Sequence, residues 1–358
     1  MITLGVLLRC LTRGESMDFL KSVRIPDLFG SSIGFFDPMN GGKTEALISE
    51  LRRARYFQTN AIAYNSALNT REKNAVVIDG ERPFPAKTVS SIDELKDDLV
   101  TKIEAHKSFP PSRESIGKAF DLDGIPQRVG YPLRVVGIDE ANLFTLTPDH
   151  AQKMIDFLDW SRGERLAVYL SGLKYDFRHL PFGYIHSILP YVDIQISKKP
   201  ACMAILNNSD ESCTNTANHT QRVWSREFAQ EQCLDQYLTS PFNFVDKDGT
   251  HFFAKYVPAP FFDKTVQIEG AKSGQIKYLP VCNDCARVPF KQETFQIYEA
   301  RVRGDNTFGF IGQPELTTAV LNFLVEEKWV TREESGLIVP VPFYRHRVGG
   351  YAPSPRGE

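Results

Sequence analysis

From about residue 31 to residue 198, short apolar runs alternate with longer segments whose apolar residues recur every three or four positions. SSIGFF (31–36), NAIAY (60–64), NAVVI (74–78), LRVVGI (133–138), LAVYLS (166–171) and residues 192–197 read as strands. Residues 44–55 put Leu47, Ile48, Leu51 and Ala54 on one helical face. Residues 93–107, and a segment that opens at Pro148 and runs to Trp160, read as further helices. Runs this apolar suit strands covered on both faces, and their alternation with helices predicts an α/β fold with a largely parallel sheet. Residues 108–131, rich in Pro, Gly and charge, read as a surface insertion. After residue 198 the alternation stops. Cys, Asn and Thr with short β-like runs replace it, followed by a helix at 315–327 and a Pro-, Gly- and Arg-rich end expected to be disordered.

The first strand runs into the most informative stretch, FFDPMNGGKTEAL (35–47). A strand, a turn through Pro and two Gly, a Lys-Thr pair and a helix form the layout of a phosphate-binding loop. Backbone N–H groups at a helix N-terminus converge on an anion, and the helix dipole favours it. Gly41 and Gly42 let the backbone approach phosphate oxygens with no β-carbon in the way. Lys43 supplies a point charge, and the Thr44 hydroxyl suits Mg2+. Asp37 stands where such a loop has its first glycine. A carboxylate about 4 Å from a phosphate charge repels it by about 4 kcal/mol at an effective dielectric of about 20. The position is therefore expected to weaken nucleotide binding, and Asp37→Gly to tighten it. Pro38 pushes Asp37 toward extended backbone angles, which gives its side chain a route away from the nucleotide.

LRVVGI ends in Asp139-Glu140, at the kind of strand terminus where open α/β sheets place their ligands. Adjacent residues on an extended chain point opposite ways. One carboxylate can then serve a metal while the other faces a phosphate acceptor; a solvated acidic pair is the plainer alternative.

Six cysteines change the picture for the second half. The apolar run from Ile2 to Leu8 is too short to span a bilayer and lacks the basic flank of a signal peptide. With a CxxC at Cys282 and Cys285, a metal site in a reducing, cytoplasmic setting is expected in preference to disulfides, with buried free thiols as the alternative. A net charge of −2 gives no global basic field, so neither a nucleic-acid coat nor a membrane-surface protein is expected. The length of 358 residues leaves room for two domains.

Taken in chain order, these motifs resemble those of the type II thymidine kinases, the zinc-containing P-loop deoxynucleoside kinases. DPMNGGKTEAL resembles the family's phosphate loop, SALNTRE its Asp-Thr-Arg segment, and VVGIDEANLF its acidic strand end. SGLKYDFRHLPFG resembles the Tyr-Asp-Phe-Arg segment that follows in the family, and CTNTANHTQR a cysteine followed by Thr-Gln-Arg. VQIEGAKSGQIKYLPVCNDC resembles the lasso and the second cysteine pair. The likeness covers about residues 30–287.

The resemblance implies an ATP-dependent deoxynucleoside kinase with a P-loop NTPase-like domain at 30–198. A zinc/lasso nucleoside-binding domain follows at 199–287, interrupted by an insertion at 223–265. Residues 1–29 and 288–358 are then extensions. Met39, Asn40, Gly41, Gly42, Lys43, Thr44 and Asp139 would hold ATP and Mg2+. Glu140 would be the general base on the 5′-hydroxyl, with Lys43 and Arg71 also catalytic. Met39, Leu143, Leu173, Phe177, Phe182, Thr220 and Tyr278 would line the base pocket, with Arg222 near the phosphates. Cys202, Cys213, Cys282 and Cys285 would hold a structural Zn2+, and the assembly would be a homotetramer. The first cysteine pair is separated by ten residues (MAILNNSDES) where the family has two, so His219 or His251 is a candidate substitute ligand.

Other departures are Asn69 for an acid, Asn142 for Gln, Leu143 for an aromatic, Lys174 for Asp and Leu180 for a charged residue. Asp37 and Lys174 motivate a rival reading: a nucleotide-binding or scaffolding descendant that has lost activity. A zinc-stabilised nucleic-acid-binding module is a third, disfavoured by the near-neutral charge and the lack of an aromatic-basic stripe.

Overall fold

The computed structural model describes residues 22–69, 75–76, 83–108, 119–122, 125–206, 211–263, 274–332 and 338–340. The expectations for the N-terminal segment before residue 22 and for the Pro- and Arg-rich end lie outside the described residues. By internal packing the chain divides into two units. The first comprises Met1–Lys174 and Phe182–Pro200; the second comprises Tyr175–Pro181 and Ala201–Glu358.

The first unit is built on a six-stranded sheet of β1 (Ser32–Phe36), β2 (Asn60–Ser66), β3 (Lys87–Val89), β4 (Leu133–Ile138), β5 (Ala167–Gly172) and β6 (Ile194–Ile196). The spatial order is β6-β1-β5-β4-β2-β3, and every pairing is parallel. Successive side chains on a strand face opposite ways, and here both sides are apolar. Ile62, Tyr64, Val136, Ile138, Val168 and Leu170 enter one core, while Ala61, Ala63, Val135, Ala167 and Tyr169 enter the other. That is why these strands read as continuous apolar runs.

Helix α1 (Lys43–Arg53) covers the second core with Leu47, Ile48 and Leu51. Helices α2 (Ile92–Ser108) and α3 (Pro148–Gly163) cover the first. Thr147 caps α3 by accepting from the His150 N–H, and Pro148 takes the first turn, where a missing N–H costs nothing. A β-carbon at Gly137 would lie 2.8 Å from Leu51 Cδ1, so α1 seats directly on β4 there.

Two expectations change. The described part of NAVVI, Ala75–Val76, pairs antiparallel with Phe84–Pro85 outside the main sheet; the parallel edge strand is β3. The expected surface insertion contains a hairpin, Ala119–Leu122 against Ile125–Arg128.

In the second unit, β7 (His219–Ser225) lies between β8 (Tyr256–Pro258) and β9 (Ile276–Val281), both antiparallel to it. The segment 223–265, read as an insertion, thus supplies β8 to this sheet. Helices α4 (Lys291–Val302) and α5 (Pro314–Glu326) join the same core, which also takes Phe177 and Trp224. The described helices beyond residue 287 are therefore packed into the second unit. Trp329 is 1% exposed and ringed by Phe261, Phe295, Tyr298 and Phe323 at 5.5–6.2 Å between centroids. Trp329→Ala is expected to cost about 3–5 kcal/mol. Urea unfolding read on this unit checks it, and a loss under about 1 kcal/mol would show that the site collapses freely. Among the described residues no helix is long and apolar enough to cross a membrane.

Candidate active site

β1 ends at Phe36 and α1 begins at Lys43, with Asn40 and Gly42 in left-handed backbone conformation (φ 60° and 68°). Gly41 is required by space: a β-carbon there would lie 2.6 Å from the Lys198 carbonyl oxygen. Lys43 is buried, and its ammonium donates back to the Pro38 carbonyl at 2.7 Å, so it arches over the loop. Burial lowers its pKa, opposed by the charges of Glu140, Asp37 and Asp139. Met39 is half-buried and Asn40 exposed on the same loop.

Asp139 follows β4 and is 4% exposed. The Thr44 hydroxyl lies 3.4 Å from its Oδ1, and Ser171 at the end of β5 donates to the same oxygen. Burial, then the adjacent Glu140, pushes the Asp139 carboxyl up to about 7. A carboxyl group beside two hydroxyls, an all-oxygen donor set, fits a hard divalent cation such as Mg2+, whose charge would favour the ionised carboxylate.

Glu140 takes left-handed angles (φ 49°, ψ 46°) at the head of a single turn, Ala141–Phe144, so its side chain leaves the strand direction and is half-buried. Asn142 is 1% exposed, and its Oδ1 accepts the Leu173 N–H at 2.9 Å. A β-carbon at Gly172 would lie 2.6 Å from that oxygen. Asn142 thus bolts the end of β4 to the end of β5, a role that its letter did not announce. Leu143 and Leu173, on either side of this bond, are half-buried against the first core.

Asp37 has its partners on a distant segment of the chain. Its carboxylate is turned onto the chain that leaves β6: Ser197 Oγ donates to Oδ1 at 2.8 Å, and the Lys198 backbone N–H donates to Oδ2. Burial raises its pKa, against the lowering effect of these two hydrogen bonds. Lys174, the other charged departure, is lowered by burial and supported by the Asp37 charge. The two departures thus act on one another electrostatically, and the Asp37 carboxylate is engaged by Ser197 and Lys198.

The expected pocket residues are divided between the two units. Phe182 packs in the core of the first unit and Phe177 in that of the second. Arg222 is 1% exposed in the second unit, ion-paired to Asp263 at 2.8 Å, with Phe177 3.8 Å and Tyr278 5.0 Å from its guanidinium. Its charge is thus already balanced by Asp263. Thr220 is buried on β7, and Tyr278 faces Arg222 across the β7–β9 ladder. Arg71 lies outside the described residues.

The four cysteines converge. The sulfurs of Cys202, Cys213, Cys282 and Cys285 all lie within 4.8 Å of one another. The ten-residue spacing closes as a hairpin, with Ala201 bridged to Thr216 and Ile205 to Ser212, which returns Cys213 beside Cys202. No substitute ligand is needed. His219 is bound to Asn283 at 2.9 Å and stacked on His179, and His251 is exposed on a separate hairpin.

Sequence reasoning missed Ser171 and the Ser197–Lys198 turn. Ser171 had a signal, a polar residue closing the apolar run LAVYLS at a ligand-bearing strand end. Lys198 had only its place after a sixth strand.

A sequence profile described as thymidine kinase matches residues 100–238, a span that holds Asp139, Glu140 and Cys202 to Arg222 and begins beyond the glycine loop. The thymidine kinase of Mesoplasma florum is 28% identical over 186 residues, 52% of this chain and 72% of that protein. That of Coprothermobacter proteolyticus is 28% identical over 185 residues, 52% and 71% of the two chains. That of Mycoplasma genitalium is 25% identical over 186 residues, 52% and 67%. The solved structure of the Aeropyrum pernix ORC1 protein in complex with DNA shares 16% identity over 52% of this chain and 45% of its own, with a TM-score of 0.30. At that score the fold rests on the strand order described above.

Proposed function

We propose that this chain is a divergent member of the thymidine kinase family and that it transfers the γ-phosphoryl group of ATP to the 5′-hydroxyl of thymidine or a related deoxynucleoside. The observation that carries the proposal is the meeting of Thr44, Asp139 and Ser171 beside a glycine loop arched by Lys43. Phosphoryl transfer asks chiefly for positioning and charge neutralisation. The loop amides and Lys43 hold the phosphates. Thr44 and Asp139 would hold Mg2+, which supplies further neutralisation of the phosphate oxygens. Glu140 accepts the proton of the attacking hydroxyl. Leu143 and Leu173, half-buried and joined through Asn142, are the residues of the first unit that we assign to the base. The four-cysteine cluster is assigned a structural Zn2+. A reducing, cytoplasmic setting and a homotetrameric assembly are carried over with the same reading.

The rival reading of an inactive descendant leans on Asp37 and Lys174, and the engagement of the Asp37 carboxylate by Ser197 and Lys198 gives that residue a structural use instead. Transfer of label from γ-labelled ATP to a panel of deoxynucleosides, with Mg2+ present, tests the proposal. Label is expected on thymidine or a related pyrimidine deoxynucleoside. Folded protein that labels no member of the panel would return the rival reading.

A further inference from the structure

The turn that leaves β6 lies against the phosphate loop at three points. The Asp37 carboxylate holds the Ser197 hydroxyl and the Lys198 N–H. The Lys198 carbonyl lies where a β-carbon on Gly41 would come within 2.6 Å. The Lys198 ammonium lies 3.5 Å from where Gly42 would carry a β-carbon, at the first turn of α1. The ammonium pairs there with Glu45, at 3.7 Å, in a pair whose side chains are 26% and 58% exposed. Pairs this exposed contribute only about 0–1 kcal/mol, so little holds the ammonium back from an incoming anion.

We propose that Lys198 is a further phosphate-binding residue of this site, a second ammonium beside Lys43, and that Asp37 is the residue that positions it. The inference rests on the nucleotide-binding part of the function proposed above. It also gives the Asp37 letter a use. A glycine at 37 would leave the Lys198 N–H and the Ser197 hydroxyl without their shared acceptor, and the turn would lose its fixed distance from the loop. The two residues act in series: Asp37 touches no phosphate but fixes the backbone from which Lys198 reaches one. Lys43 spends one of its three N–H donors on the Pro38 carbonyl at 2.7 Å, so a second ammonium adds donors and charge to those that Lys43 supplies.

Equilibrium binding of ATP and of AMP, by calorimetry, to the full chain and to Lys198→Ala, Lys198→Arg and Asp37→Asn tests this. Lys198→Ala is expected to weaken ATP about tenfold or more, the scale of a hydrogen bond to a charged group, while changing AMP much less. Lys198→Arg keeps most of the affinity. Asp37→Asn weakens ATP as well, and combining it with Lys198→Ala adds little, as for residues acting as a unit. A Lys198→Ala protein that binds ATP as the parent does, or loses ATP and AMP equally, overturns the proposal. So does Asp37→Asn with tighter ATP. A parent protein that binds ATP but transfers no label defeats the kinase reading and leaves Lys198 standing; one that binds no nucleotide defeats both.

Discussion

Replacing Glu140 with glutamine is expected to lower turnover by about 10^2–10^4 while ATP binding survives. That range is what a positioned general base contributes to a proton transfer. Glutamine keeps the length and one oxygen of the side chain but cannot take the proton of a hydroxyl. The backbone at 140 is left-handed, and glutamine has no branch at Cβ to worsen that. The variant therefore tests chemistry more than folding. The neighbouring carboxylate bears on the interpretation. The Glu140 charge is the second cause holding Asp139 up at about 7, after burial. Removing that like charge makes Asp139 easier to ionise, so weaker metal binding is not the expected reason for lost turnover. The measurement is single-turnover transfer at saturating ATP and Mg2+, with ATP affinity measured separately. Turnover within about threefold of the parent would remove Glu140 from the proton transfer, since a base contributes at least about a hundredfold. A parallel collapse of ATP affinity would assign it to phosphate binding instead.

What was legible in the sequence depended on how far apart the interacting residues lie. β1, β2, β4 and β5 were readable because parallel strands covered on both faces have to be apolar throughout. The glycine loop was readable because its residues are neighbours in the chain. The partners of Asp37 were hidden because Ser197 and Lys198 come 160 and 161 positions later. Nothing local distinguishes a carboxylate that faces phosphate from one that caps a turn. The structural role of Asn142 was hidden for a similar reason: its bond to Leu173 joins two strand ends that are adjacent only in the folded sheet. Helix α4 was missed on other grounds. Its buried stripe is Thr294, Ile297, Tyr298 and Arg301, so two of its helical-face positions carry polar letters. Arg301 is buried because its guanidinium donates to the carbonyls of Asp305 and Phe308. A hydrophobicity pattern cannot register a stripe built that way.

Purified protein is expected to carry one zinc per chain, and stripping it is expected to unfold the cysteine end of the second unit. Four thiolates around Zn2+ at about 2.3 Å make a tetrahedron with sulfur–sulfur edges of about 3.8 Å. Cys213 and Cys282 are 3.8 Å apart, and all four sulfurs lie within 4.8 Å. The cysteines are free thiols, and Cys202, Cys213 and Cys282 are buried. Without a metal, burial pushes Cys202 up to about 11 and raises Cys285, while Cys282 is lowered, its burial outweighed by hydrogen bonds from the Cys285 and Asp284 backbone and from neighbouring thiols. Metal entry must therefore release protons, and occupancy should fall as pH falls. The cluster ties the hairpin carrying Cys202 and Cys213 to the end of β9, and those elements share a core with Val223, Phe244 and Leu279. Structural zinc in small peptides is worth about 10–16 kcal/mol of apparent binding at neutral pH; a site on a partly preformed core should return less of that as stability, but still enough to lower a melting midpoint by many degrees. Chelation and Cys282→Ser should give the same loss of midpoint and of zinc, with zinc restoring only the chelated parent. Zinc-free protein that melts where the untreated protein does would reduce the cluster to four buried thiols.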